Sequence, residues 1–189
     1  MGRTIVVANQ KGGVGKTTTS INLSASLASL GKNVLVIDMD PQGNTTSGLG
    51  VEKDEVENTV YELLLGEKTI QECLQPEIFE NLSILPSNVN LAGAEIELVG
   101  VEGKEYLLKN ALDEIKEDYD FVIIDCPPSL NTLTINSMCA GDTVLVPIQC
   151  EYYALEGLSQ LMHTIDLVKD RLNPGLEIEG VVFTMYDAR

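Results

Sequence analysis

Short runs of aliphatic and β-branched residues alternate along this chain with longer stretches whose apolar positions recur at helical spacing. TIVVA (4–8), NVLVID (33–38), FVIID (121–125), TVLVPI (143–148) and GVVFTM (180–185) are apolar nearly throughout, without the in–out alternation of a half-solvated strand. Runs of that kind predict strands buried on both faces, as in a parallel sheet. NLSILPSN (81–88) predicts one more short strand. TTTSINLSASLASLG (17–31) reads as a helix ending at Gly31, a residue suited to the left-handed position just past a helix. NTVYELLLG (58–66) and KEYLLKNALDEIKEDY (104–119) also read as helices. Residues 153–172 set Leu155, Leu158, Met162 and Ile165 along one helical face, with Leu161, Val168 and Leu172 widening it.

Strands alternating with helices predict an α/β fold, a doubly wound and mainly parallel sheet with helices on both faces and right-handed crossovers. The 189 residues suit a single domain over 1–189. The chain stops at Arg189, soon after the last strand and with no helix to close over it. The expectation is a domain lacking its C-terminal portion, since an uncovered edge strand is a liability. Ligands of doubly wound sheets bind beyond the carboxyl ends of the strands. The glycine-rich stretch after residue 8, Asp38 with Asp40, Asp125 and Met185 all fall at such ends.

Charge sharpens this picture. The net charge is −17, but it is unevenly spread. Residues 1–50 carry four cations against Asp38 and Asp40, whereas residues 51–120 carry five lysines against eighteen acids. The one positive region therefore holds the glycine loop, where an anion belongs. The acidic middle argues against this chain alone gripping DNA, since phosphate contacts need clustered Lys and Arg. No apolar run approaches the ~18 residues of a membrane span, and the apolar stretch of MGRTIVVANQ is too short for a secretory leader. Four cysteines without a C-x-x-C pair fit a reduced, cytoplasmic setting. His163 has no metal-ligand partner pattern beside it.

NQKGGVGKTTTS (9–20) carries the chemistry. A strand, a glycine loop and a helix form the frame in which backbone N–H groups turn inward to hold phosphate, with the helix N-terminus aimed at the same anion. Lys16 is placed for the β- and γ-phosphates and the Thr17 hydroxyl for Mg²⁺. Yet the pattern G-x-x-x-x-G-K-[ST] wants glycine where Gln10 stands, and a second lysine, Lys11, precedes the glycines. Its side chain is expected to leave the cradle rather than enter it.

KGGVGKTT resembles the deviant Walker A loop of the ParA/Soj/MinD ATPases, with Lys11 at their signature lysine. VLVIDMDPQGNTTSGLG, FVIIDCPPS, DTVLVPIQCEYYALEGL and GVVFTMYDAR resemble further elements of the chromosome- and plasmid-partition branch, so the resemblance covers essentially all 189 residues. It implies a P-loop NTPase fold, ATP and Mg²⁺ as ligands, and hydrolysis of ATP. Lys11, Gly12, Gly13, Val14, Gly15, Lys16, Thr17 and Thr18 would bind the nucleotide, with Met185 beginning the base pocket. Thr17, Asp125 and Asp40 would serve the metal, Asp125 through water. Asp40 would orient the attacking water or the Mg²⁺ shell; its other reading is a turn acid before Pro41. Asp38, closer to the strand, is expected to be structural or to support the metal-binding residues from behind. Lys11, Lys16 and Asp40 would be the catalytic residues.

The resemblance further implies a homodimer formed on ATP, in which each Lys11 reaches the other subunit's nucleotide. It also implies a ParB-like protein that stimulates hydrolysis, nonspecific DNA binding by the full-length protein, with Arg189 one candidate contact, and hence nucleoid association. Cys126 stands after Asp125 where fast ATPases often carry a glutamate base, so hydrolysis is expected to be slow. The alternative is a MinD-like membrane-associated positioning ATPase, whose mark would be a basic amphipathic helix.

Overall fold

The computed structural model describes residues 2–150 and 154–186. The candidate DNA contact Arg189, the start of the 153–172 helix and the side chain of Leu155 lie outside the described residues. Among the described residues seven strands form one sheet: β1 (Arg3–Val7), β2 (Val34–Asp38), β3 (Gln75–Phe79), β4 (Leu82–Leu85), β5 (Phe121–Asp125), β6 (Thr143–Gln149) and β7 (Glu177–Thr184). Their spatial order is β3-β4-β2-β5-β1-β6-β7. Every pairing is parallel except that of the edge strand β3 with β4. The central strands β2 and β5 are buried along nearly their whole length, which their uninterrupted apolar runs require.

One face of the sheet, through Ile5, Val7, Val36 and Ile123, packs on Ile21, Leu27 and Ala28 of α1 (Lys16–Ser29). The other face, through Val6, Ile37, Ile124 and Val146, meets α3 (Val60–Leu64), α5 (Leu91–Glu97), α6 (Leu107–Leu112), α7 (Thr132–Ala140) and α8 (Ala154–Arg171). Gly31 ends α1 as expected: it adopts φ +76°. Its N–H bonds Ala28 O at 2.9 Å and that of Lys32 bonds Leu27 O at 3.2 Å, a Schellman closure. His163 is exposed on α8.

Several elements depart from the sequence reading. The helix expected over 104–119 is broken into a 3₁₀ turn (Lys104–Tyr106), α6 and a second 3₁₀ turn (Lys116–Asp118). Asn136 of α7 explains the first break. Its Nδ2 donates to Lys104 O at 2.8 Å and its Oδ1 accepts from Leu108 N at 3.3 Å, so one side chain takes both ends of a would-be helical bond. At the second break Asp113 pairs with both Lys109 and Lys116.

The helix expected over 58–66 narrows to α3, capped by Thr59, which accepts from Tyr61 N while Glu62 reaches back to the Thr59 amide. β7 begins three residues earlier than expected, across a register shift at Val144/Leu145. The helices α2 (Asn44–Gly48), α4 (Ile70–Cys73), α5 and α7, and the strand β3 with its Pro76, carry no clear period and were not anticipated.

Candidate functional site

β1 ends at Val7 and α1 starts at Lys16, which leaves residues 8–15 as the loop between them. Asn9 anchors its start: Nδ2 donates to Pro147 O at 2.8 Å and Oδ1 accepts from Lys11 N at 3.0 Å. Gly13 and Gly15 hold φ of +75° and +89°, a conformation that costs glycine little and turns successive N–H groups to one side. The far end of the sheet braces the loop. Thr184 Oγ1 donates to Val14 O at 2.7 Å, and a Cβ on Gly15 would stand 3.3 Å from the Thr184 methyl. Thr184 escaped sequence reasoning; its only signal was its place at the end of the last strand, next to Met185.

A cavity of about 360 Å³ opens over the loop, lined by Gly12, Gly13, Gly15, Lys16, Thr17, Thr18, Asp40 and Met185, with Gln42, Asn44 and Pro128 completing it. Eight of the expected site residues therefore meet around one space. Three do not line it. Val14 is buried in the interior, so only its backbone is available to a phosphate. Asp125 stands behind Thr17. Lys11 lines a neighbouring hollow of about 520 Å³ with Gln10, Pro128, Ser129, Leu130 and Gln160.

The two lysines thus point to different spaces. Lys16 is 7% exposed, and its Nζ donates to Lys11 O at 3.1 Å across the base of the loop. Burial lowers the pKa of its ammonium, and the nearby carboxylates of Asp125 and Asp40 work against that shift.

Behind the loop lie two buried carboxylates. Asp38 and Asp125 are directly paired across β2 and β5, so the parallel register sets them side by side. Asp125 accepts from Thr17 Oγ1 at 2.8 Å, Ser20 Oγ at 2.9 Å and Thr45 Oγ1 at 2.6 Å. Asp38 accepts from Thr46 N and Oγ1 at 2.8 and 2.7 Å and from Asp40 N at 3.1 Å, a structural role for this residue. Ser20, Thr45 and Thr46 were not foreseen. The last two sit on α2, whose five turn-forming residues are held helical by these bonds rather than by propensity. Asp40 accepts from Gln42 N at 2.9 Å, closing the turn before α2, and also faces the cavity. Both of its sequence readings are therefore compatible with one position.

Burial pushes the Asp125 carboxyl up, against the pull of its three hydroxyl donors and Lys16. Burial, and then the charge of Asp125, push Asp38 up to about 7. The residues fit Mg²⁺: an all-oxygen donor set, a threonine hydroxyl in contact with the buried carboxylate, and an excess of buried negative charge that a cation offsets. Among the described residues no three His, Cys, Asp or Glu side chains converge into a metal cage. This suits an ion that takes most of its shell from water and phosphate. Cys126 is buried, and burial lifts its thiol to about 12, so it is protonated and inert at neutral pH.

Asp38 has a measurable consequence. Its carboxyl titrates at the ordinary 3.8 in the unfolded chain and at about 7 in the folded one, so the folded chain binds the extra proton between those values. Stability from this group is thus fully present below the lower value and is lost as pH rises through the higher one. The melting temperature of the metal-free protein is expected to fall as pH rises from about 4 to about 7, with little further contribution from this group above that. Asp38→Asn should flatten that fall; an equal fall in the variant would reject the assignment.

A model of the AAA domain family matches residues 2–178. The chain is 57% identical over 189 residues to sporulation initiation inhibitor protein Soj of Bacillus subtilis, covering all of itself and 75% of that protein. It is 56% identical to chromosome partitioning protein ParA of Myxococcus xanthus, covering 67% of it. Among solved structures it is similar to a cobyrinic acid a,c-diamide synthase from Mycobacterium smegmatis, crystallised with an ATP analogue and magnesium. The TM-score is 0.95 at 45% identity, over all of this chain and 77% of that one. With a phosphate loop of the deviant two-lysine kind, and 56% and 57% identity to these relatives along all of its own length, the chain belongs to the ParA/Soj family of P-loop ATPases.

Proposed function

We propose that this protein is a slow, Mg²⁺-dependent ATPase whose ATP-bound sandwich dimer acts as a switch in chromosome or plasmid partitioning. The observation that carries the reading is the separation of the two lysines: Lys16 inside the phosphate cavity, Lys11 lining the hollow next to it. The inward amides of residues 12–16 hold the β- and γ-phosphates, and Lys16 exchanges its bond to the Lys11 carbonyl for one to phosphate. Thr17 and Asp125 are the residues that hold Mg²⁺, which neutralises phosphate charge when bound. Lys11 crosses to the nucleotide of the second subunit, so the dimer closes only around triphosphate.

Asp40 is the one carboxylate among the described residues lining the cavity, and it orients the attacking water. With little general-base help, turnover rests on positioning and charge, which makes hydrolysis slow and the dimer a timer. Asp40→Ala should then trap the ATP-bound dimer with turnover down by about two orders of magnitude, the usual scale of a lost proton-transfer or positioning group. Wild-type phosphate release in that variant would return Asp40 to a turn residue.

The partition role takes its support from the names of the two relatives at 57% and 56% identity, against 45% for the synthase structure. A ParB-like protein stimulates hydrolysis in this reading, and DNA is bound by the full-length protein. Co-sedimentation of that protein with DNA and with anionic liposomes, in ATP and in ADP, tests it. ATP-dependent recovery with DNA alone is expected. Recovery with liposomes alone would favour the membrane-positioning reading instead.

A further inference from the structure

The turn that presents Asp40 to the phosphate cavity is steadied by polar bonds, because the helix behind it brings no apolar anchor of its own. α2 reads NTTSG, poor helix formers throughout, and its two buried residues are Thr45 and Thr46. Its far end is fixed by packing: Ile21 of α1 lies so close that a Cβ on Gly48 would meet it at 2.4 Å. The end next to Asp40 hangs on hydroxyls. Thr45 and Thr46 are both fully buried, where a hydroxyl without a partner is costly, and each is bound to a specific acceptor.

The two threonines act on different carboxylates. Thr46 Oγ1 donates to Asp38 at 2.7 Å and accepts from Ser87 N at 3.0 Å, and Ser87 Oγ donates to Asp40 O at 2.9 Å. That set ties the backbone of the turn to the end of β2 and to the loop after β4. Thr45 Oγ1 instead donates to Asp125 Oδ2 at 2.6 Å, the oxygen that also accepts from Thr17 Oγ1 at 2.8 Å. One carboxylate oxygen therefore takes a hydroxyl from the first turn of α1 and another from α2. Thr45 does not line the cavity, so its effect on a bound nucleotide passes through Asp125 and the turn.

We infer that Thr45 is a positioning residue for hydrolysis: its bond to Asp125 holds the turn that carries Asp40 in register with the phosphate loop and Thr17. The effect on turnover rests on the ATPase reading; the tie between α2 and Asp125 does not. Ser20 supplies the comparison. Its Oγ donates to the other oxygen of the same carboxylate at 2.9 Å, yet it sits on α1, one helical turn on from Lys16. Loss of either hydroxyl takes one of three donors from Asp125, but only loss of Thr45 frees the end of α2 beside Asp40.

The test uses the full-length protein with T45V, T45S and S20A. Turnover in T45V is expected to fall about a hundredfold, the scale of a group misplaced by about 1 Å, with ATP affinity in calorimetry unchanged. T45S keeps the hydroxyl and should recover most of that turnover, and S20A should lose less than T45V. A cycle with D40A locates the effect: D40A/T45V should be no slower than D40A alone, since residues that act as one unit do not add. Full additivity, T45S as slow as T45V, or equal losses in S20A and T45V would overturn the assignment. T45A, smaller and without the hydroxyl, repeats the comparison if the valine variant does not fold. Hydrogen exchange on the ligand-free protein reads the tie without the reaction. Amides of residues 42–48 should exchange faster in T45V, and as in the wild type in T45S and S20A; unchanged exchange in T45V would overturn the tie. A wild type without ATP turnover would overturn the ATPase reading and the catalytic role with it, while faster exchange in T45V alone would still uphold the tie.

Discussion

Replacing Lys16 with alanine is expected to abolish nucleotide binding while leaving the fold intact. Among the described residues the Lys16 ammonium donates to the carbonyl of Lys11, in a cavity that water reaches, so its loss strands no buried charge of opposite sign without other donors. Asp125 keeps its three hydroxyls. Toward a triphosphate the same group makes charge-assisted bonds worth about 1.5–3 kcal/mol each. Two of them, to the β- and γ-phosphates, correspond to a loss of roughly 10²–10⁴ in affinity. Titration calorimetry with ATP and Mg²⁺ measures it. Unchanged affinity in Lys16→Ala, with an unchanged melting temperature, would remove the lysine from the site and the phosphate cradle with it.

The phosphate loop was legible because its chemistry is written in consecutive residues. Gly13 and Gly15 must be glycine for their positive φ, and Lys16 and Thr17 follow at once on the first helical turn. β2, β5 and β6 were equally legible, since burial on both faces leaves an unbroken apolar run and no competing period. What stayed hidden was held together by contacts remote in sequence. Thr45 reaches Asp125 across 80 positions and Thr184 reaches Val14 across 170, and neither pairing leaves a local trace.

α7 was missed for a different reason. Six of its nine residues are buried, so it has no polar face to set a helical period. α5 was obscured by its shortness: seven residues, LAGAEIE, with Gly93 among them and Ile96 exposed, are too few to set an amphipathic period. The expected long helix over 104–119 failed because Asn136, from an element not foreseen, takes its first backbone bond. Local pattern located the ends of the strands. The packing between elements decided which side chains gathered there.

The hollow beside the phosphate cavity frames the second large effect. Lys11 lines it together with Pro128, Ser129 and Leu130 of the loop that follows Asp125, so a partner seated there meets the lysine and that loop together. In a twofold dimer each change is made twice. In the proposed dimer Lys11→Ala is expected to remove two charge-assisted contacts to phosphate, at about 1.5–3 kcal/mol each, or roughly 10²–10⁴ in the dimer equilibrium. ATP binding to one subunit, which rests on Lys16 and the amides, should be spared.

The mass of the full-length protein in saturating Mg²⁺-ATP, by light scattering, is the most direct measurement of this arrangement. The expected result is a dimer for the wild type and a monomer for Lys11→Ala, which still binds ATP in calorimetry. A wild type that stays monomeric, or a Lys11→Ala variant that dimerises as well as the wild type, would contradict it.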